Sequence, residues 1–288
     1  MFTDDQYQLL DFGEGRKLER FGAYVLDRPN PAVDGVPQST PALWKSAHAR
    51  YRRTCRDRGQ WSVTASLPKT WTITHAAGTF EMKLNEFGHV GLFPEHTESW
   101  QWIGLQAKRA KRPLKILNLF AHTGGATLAA ASAGAEVVHV DAAEGVVAWA
   151  RRNAALSGLA DAAIRWIVED AAKFARRELR RGNRYDAVIL DPPSYGHGPK
   201  GEVWKLAEHL LPLLHDCGKL TAERRAFMLL SCHSPGYGPA ELQASLADAV
   251  FGHCQSGATA ARMNITASDD RKLPCGAVAR WAKPPETA

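Results

Sequence analysis

From residue 115 onward, short and almost wholly apolar runs alternate with longer stretches in which apolar residues recur every three or four positions. The runs "KILNLF" (115–120), "EVVHV" (136–140), "IRWIV" (164–168), "YDAVIL" (185–190) and "AFMLLS" (226–231) predict strands buried on both faces. Between and after them, "GATLAAASAGA" (125–135), "AEGVVAWARRNAALSG" (143–158), "AAKFARRELRRG" (171–182), "GEVWKLAEHLLPLLHDCG" (201–218) and "GPAELQASLADAVFG" (238–252) have helical spacing and end at or near Gly. Repeated strand-then-helix units predict an α/β fold: a parallel, Rossmann-like sheet with right-handed crossovers and helices on both faces. Two β-rich runs, "ATAARMNITA" (258–267) and "AVARWA" (277–282), fit an antiparallel edge.

The first hundred residues have a different rhythm. "YQLLDFGEGRKLERFGAYVLDRP" (7–29) reads as strand, turn and strand, and residues 61–95 offer short strands separated by Gly and Pro. These patterns predict a small β-rich N-terminal domain over 1–98, a basic helical connector over 99–114 and an α/β domain over 115–288. The segment "WKSAHARYRRTCRDRGQ" (44–60) has helical spacing, with Trp44, Ala47, Tyr51 and Cys55 on one face and Arg50, Arg52, Arg53, Arg56 and Arg58 around it.

Composition narrows the classes. With 45% hydrophobic and 23% charged residues, the 288-residue chain can bury a core without disulfides or metal. Its five cysteines, 55, 217, 232, 254 and 275, contain no CxxC pair, so neither a disulfide framework nor a metal site is expected. No run is long enough to span a bilayer and "MFTDDQYQLL" lacks a signal pattern, so a cytoplasmic protein is expected. The net charge of +6 suits a polyanionic partner, with the arginine-rich segment, Lys108, Arg109, Lys111 and Arg112 as candidate phosphate contacts. A solvated helix face explains such runs as well.

In a doubly wound sheet, ligands bind outside the carboxyl ends of the strands, so the residues after each strand carry the chemistry. The first exit, Phe120, Ala121, His122, Thr123, Gly124 and Gly125, has adjacent glycines that permit close backbone approach. It lacks the GxGxxG of dinucleotide enzymes. The second exit carries Asp141 and Ala142, where a carboxylate can accept two ribose hydroxyls or cap the following helix. Asp170 and Ala171 stand at the third, near an adenine position, with the same two readings for the acid. At the fourth, "DPPSYGHG" (191–198), each proline removes a donor, so Asp191, Pro192, Pro193 and Tyr195 form a ledge rich in acceptors beside an aromatic face. Such a ledge suits a planar base bearing an amino group.

Taken together, "NLFAHTGGATLAAASAGAEVVHVDAAEG", "VEDAAKF" and "YDAVILDPPSYGHG" resemble the class I S-adenosylmethionine-dependent methyltransferases, and more narrowly the bacterial 23S ribosomal RNA cytosine-5 methyltransferases. The likeness extends over about residues 80–283, including "GHVGLFPEH" and "LPCGAVARW", without a recognisable PUA module. It implies that S-adenosyl-L-methionine lies over Phe120 to Gly125, Asp141, Ala142, Asp170, Ala171 and Asp191, and that Asp191 to Tyr195 meet a base of RNA, ribosomal RNA above all. In that family a nucleophilic cysteine sits after the fifth strand, where this chain has Cys232 in "LLSCHSPG". A thiolate is needed to methylate a pyrimidine C5 and not an exocyclic amine, and a cysteine after an apolar strand is often simply core, so both readings of Cys232 stand. His233 and His197 are candidate proton carriers. Alternatives of other kinds are a nicotinamide-dependent oxidoreductase, a catalytically silent RNA-binding protein, and a methyltransferase acting on a protein or small molecule.

Overall fold

The computed structural model describes residues 2–55, 58–64, 66–252 and 257–284; Arg56 and Cys254 lie outside them. The chain divides into two compact units, Met1–Thr97 with Asn264–Cys275, and Glu98–Met263 with Gly276–Ala288.

The first unit is β-rich. Strands β1 (Tyr7–Gly13), β2 (Arg16–Phe21), β3 (Tyr24–Pro29), β4 (Ala49–Arg53) and β5 (Gly59–Val63) form one sheet in that order, antiparallel except for the parallel β3–β4 pair. Glu14 and Gly15 both take positive φ, 52° and 70°, as a two-residue turn matched to strand twist requires. A hairpin of β6 (Trp71–His75) and β7 (Gly78–Met82) completes the strands before residue 97.

The helix expected over 44–60 does not form. Pro41–Ser46 is a 3₁₀ turn and the chain then enters β4 and β5. Trp44 is buried with Leu18 and Val25 and donates its indole N–H to Asp11, while Tyr51 donates its hydroxyl to the Glu86 carbonyl. In "ARYRR" Ala49 and Tyr51 point inward, a period of two that the wider 44-47-51-55 spacing concealed. Cys55 is exposed rather than part of that face. Asp11, almost fully buried, also accepts from the amides of Phe12, Ser39 and Thr40 and pairs with Arg271 of the C-terminal segment.

The second unit holds α1 (Thr97–Arg109), β8 (Lys115–Leu119), α2 (Gly125–Ala131), β9 (Glu136–Asp141), α3 (Glu144–Leu156), β10 (Ile164–Val168), α4 (Ala171–Arg180), β11 (Ala187–Leu190), β12 (Tyr195–His197), β13 (Val203–Lys205), α5 (Leu206–Thr221), β14 (Phe227–Cys232) and α6 (Pro239–Leu246). The final strands, β15 (Thr259–Thr266) and β16 (Lys272–Ala282), each contribute to both units. The main sheet has the order β10-β9-β8-β11-β14-β16-β15. Strands β8 to β11 and β14 pair in parallel, and β16 runs antiparallel to β14. The α/β class and the β-rich N-terminal sheet are as the sequence predicts. From β8 the chain winds outward to β10, then returns to β11 and β14, so the order reverses between β8 and β11 and opens a crevice at their carboxyl ends.

The helix predicted from Gly201 starts at Leu206 instead, because Val203–Lys205 pairs with Tyr195–His197 as a short hairpin. At the other end of the sheet Asp186 accepts paired hydrogen bonds from Arg112 and from Arg224, plus the Lys115 amide. Burial works against its charge, but these donors outweigh burial and hold the carboxyl far below the usual carboxylate range. Among the described residues no helix is long and apolar enough to cross a membrane.

Candidate functional site

The β8 exit is a strained turn. Phe120 and His122 have φ of 56° and 47°, left-handed conformations that cost roughly 1–3 kcal/mol each for residues with a side chain. Two bonds to β9 hold the turn: the Ala121 amide donates to the Val140 carbonyl at 3.1 Å and the His122 amide to Asp141 Oδ2 at 2.9 Å. Thr123 is buried, its carbonyl accepting from the Asn153 side chain of α3 at 2.9 Å. Gly124, at φ 93°, starts α2 in a conformation that favours glycine. Gly125 also answers a packing demand: a Cβ there would meet Trp100 Cζ2 at 2.3 Å. Trp100, missed in the sequence, props the start of α2 from α1.

Asp141 bridges two exits. Its Oδ2 takes the His122 amide and its Oδ1 the Ala143 amide at 3.0 Å, which leaves the carboxylate acceptor capacity. Burial lifts its pKa above the ordinary carboxylate value, and the amides of Ala143, His122 and Ala142 offset this only in part. Asp170 caps α4, accepting from the Lys173 amide at 2.8 Å, with Ala171 buried as the first helical residue.

At the β11 exit, Asp191 Oδ1 accepts from Ser231 Oγ at 2.7 Å and lies 3.5 Å from His233 Nε2. Ser194 and Ser234 join hydroxyl to hydroxyl at 2.5 Å, a second brace between the loops after β11 and β14. The prolines do not leave every carbonyl facing outward: the Trp204 indole N–H donates to the Pro193 carbonyl at 2.7 Å. Tyr195, on β12, is 53% exposed, and its ring packs edge-on against His197 at 5.2 Å. Cys232 is fully buried in the main core cluster; burial pushes its thiol pKa up, against the partial opposition of the Ser234 amide at 3.4 Å. No cationic side chain that would favour a thiolate touches it among the described contacts. Gly276, at φ 115°, lies so close that a Cβ would meet the Cys232 carbonyl at 2.3 Å.

The structure thus gathers the predicted exits of β8, β9, β10 and β11 along one edge of the sheet. The residues missed were Trp100, Trp204, Ser231 and Ser234. Each acts by side-chain contact across sequence distances of 11 residues or more, or between elements, where periodicity carries no signal.

A switch-point crevice with carboxylates at the strand exits is the nucleoside-cofactor site of the Rossmann-like class. The family model for S-adenosylmethionine-dependent methyltransferases matches residues 40–240, and the chain belongs to that family. A SAM-dependent methyltransferase from Agrobacterium tumefaciens is 35% identical, superposes with a TM-score of 0.89, and is matched over 96% of this chain and 90% of its own. A methyltransferase structure complexed with S-adenosylhomocysteine shares the fold at 16% identity, TM-score 0.74, over 96% of this chain and 75% of that one. Among curated relatives, ribosomal RNA large subunit methyltransferase K of Neisseria meningitidis is 29% identical over 154 residues, 52% of this chain and 42% of that protein. The K/L enzyme of Shewanella frigidimarina is 31% identical over 136 residues, 46% of this chain and 18% of that protein. The chain therefore spans less than half the length of these curated relatives.

The donor set fits S-adenosylmethionine. Asp141 keeps acceptor capacity for ribose hydroxyls, and carboxylates at three exits suit a cation. The family replaces the nicotinamide alternative.

Proposed function

We propose that this methyltransferase modifies a base of RNA, ribosomal RNA in particular, and that the acceptor atom is a nitrogen. The single observation that carries the choice of atom is the pairing of a braced, acceptor-rich Asp191 with a Cys232 that lies fully buried in the core. Methylation at a pyrimidine carbon needs a thiolate poised against the ring, whereas a nitrogen brings its own lone pair. The relatives named as ribosomal RNA methyltransferases support RNA as the polymer.

S-adenosylmethionine supplies a methyl group already activated by its sulfonium. The chain's part is then alignment and desolvation. Asp141 would hold the ribose and Asp170 would stand by the adenine, while Phe120 to Gly125 line the methionine end. Asp191 would accept an N–H of the base and so aim the nitrogen lone pair at the methyl carbon. As the nitrogen–carbon bond forms and the carbon–sulfur bond breaks, the surplus proton leaves the nitrogen toward Asp191 or water. Tyr195, half exposed on its hairpin, offers a face for the base to stack on.

Mass spectrometry of ribosomal RNA nucleosides from cells with and without this protein tests the proposal. The expected result is one N-methylated nucleoside lost in its absence; loss of a C-methylated nucleoside rejects the nitrogen, and an unchanged profile rejects ribosomal RNA.

A further inference from the structure

We propose that Trp204 is a positioning residue that couples the donor side of the site to its acceptor side. The inference rests on the methyl-transfer reading above and adds a residue to it. Two prolines deprive the ledge of backbone donors, so Pro192 and Pro193 cannot fix themselves through their own N–H groups. What remains is a carbonyl, and the Trp204 indole holds that of Pro193 at 2.7 Å. The same indole packs on Phe120, ring centroids 4.8 Å apart, and Phe120 is one of the left-handed residues of the β8 exit. One side chain thus touches the loop that would line the methionine end and the loop that would meet the base.

Trp204 belongs to the main core cluster, but its place in the chain gives it more than packing to do. Strands β12 and β13 have three residues each, and two-stranded hairpins of that size do not stand alone. Val203 and Lys205 on either side are exposed, yet Trp204 is only 3% exposed. The hairpin is pinned through this residue, with help from the Leu206 amide on the Ser194 carbonyl and from Lys173 to Glu202. A shift of Trp204 on filling the donor side would be transmitted directly to Pro193.

The test compares wild type with Trp204→Phe, which keeps a ring against Phe120 and removes the donor to Pro193. Hydrogen–deuterium exchange of residues 191–206 is followed with and without S-adenosylhomocysteine, a readout that does not depend on the acceptor. Wild type should become more protected there on binding, and the variant should bind S-adenosylhomocysteine within about threefold of wild type without that added protection; on ribosomal RNA from cells lacking the protein its kcat should fall about tenfold with KM little changed. Unchanged ligand-induced protection, or a kcat equal to wild type for the folded enzyme, overturns the proposal. Failure of the wild type to methylate RNA would instead overturn the RNA reading and leave the exchange result to decide Trp204. If Trp204→Phe does not fold, the wild type alone decides: no added protection of residues 191–206 on binding S-adenosylhomocysteine overturns the proposal.

Discussion

Ser231 donates its hydroxyl to the Asp191 carboxylate across the exits of two adjacent parallel strands, at 2.7 Å. The carboxylate is thereby aimed from outside its own loop. Replacing Asp191 with Ala should lower methyl transfer on the order of 100-fold or more while leaving S-adenosylhomocysteine affinity nearly intact, and Ser231→Ala should cost roughly tenfold, as expected of a group acting in the transition state and of its orienter. Steady-state rates beside calorimetric titration separate the two effects; retained turnover in Asp191→Ala contradicts the assigned role.

Cys232→Ala should keep activity within about threefold, because a buried thiol with a raised pKa supplies almost no thiolate near neutral pH. Its cost should appear in stability, at about 1 kcal/mol for a small core truncation. Complete loss of turnover with the fold intact would show that the cysteine attacks the base.

Gly125→Ala should be poorly tolerated, since the added carbon meets Trp100 at 2.3 Å. Overpacking of this kind costs typically 1–3 kcal/mol and displaces the start of α2. Trp100→Phe in the same chain, by vacating part of the indole's space, should recover much of that stability. Denaturant unfolding of the four members of this cycle would show a coupling, and simple additivity would refute the contact.

His139 sits fully buried between the Thr127 hydroxyl, 2.9 Å from Nδ1, and the Trp166 ring. Burial, aided by the charge of His122, lowers its pKa from 6.5 to about 3. The folded protein refuses a proton that the unfolded chain accepts, so this residue is neutral in its effect above about pH 6.5 and removes stability progressively as pH falls from there toward 3. The His139→Asn variant should show a slope of stability against pH shallower by up to about 1.4 kcal/mol per unit in that window. Equal slopes would mean the imidazole is protonated in the native state.

The arginine-rich segment and the basic residues of 108–112 contribute fewer free cations than the sequence suggests. Arg50 pairs with Asp27, Arg58 with Glu86, and Arg112 with Asp186. Among the described residues, Arg52, Arg53, Lys108 and Arg109 are exposed and form no ion pair. If Arg52 and Arg53 face RNA, the double change to Glu should weaken binding and shrink the salt slope by about 0.7 for each phosphate no longer neutralised. Filter binding at several salt concentrations would show it, and parallel lines would remove these residues from the interface.

The parallel sheet was readable because β8, β11 and β14 are buried on both faces and spell themselves as unbroken apolar runs. The acids that end or follow those runs were readable for the same reason: position in a strand–exit–helix unit fixes them. The strands β4 and β13 were not. "ARYRR" and "VWK" are too short for a period of two to outweigh helical spacing in their neighbours, and both are strands because a partner strand lies beside them. The packing demand on Gly125 was hidden for a related reason, since what fills the space beside it is a tryptophan 25 residues earlier.

The pairing of Asp11 with Arg271 joins the opening strand to a segment near the far end of the chain, and Asn264–Cys275 is part of the N-terminal unit. During synthesis, that unit must wait half-built while everything between is made. The N-terminal sheet is thus completed only after the strands and helices that follow it have been made, and the methyltransferase sheet closes in the same stroke, when β15 and β16 arrive to serve both.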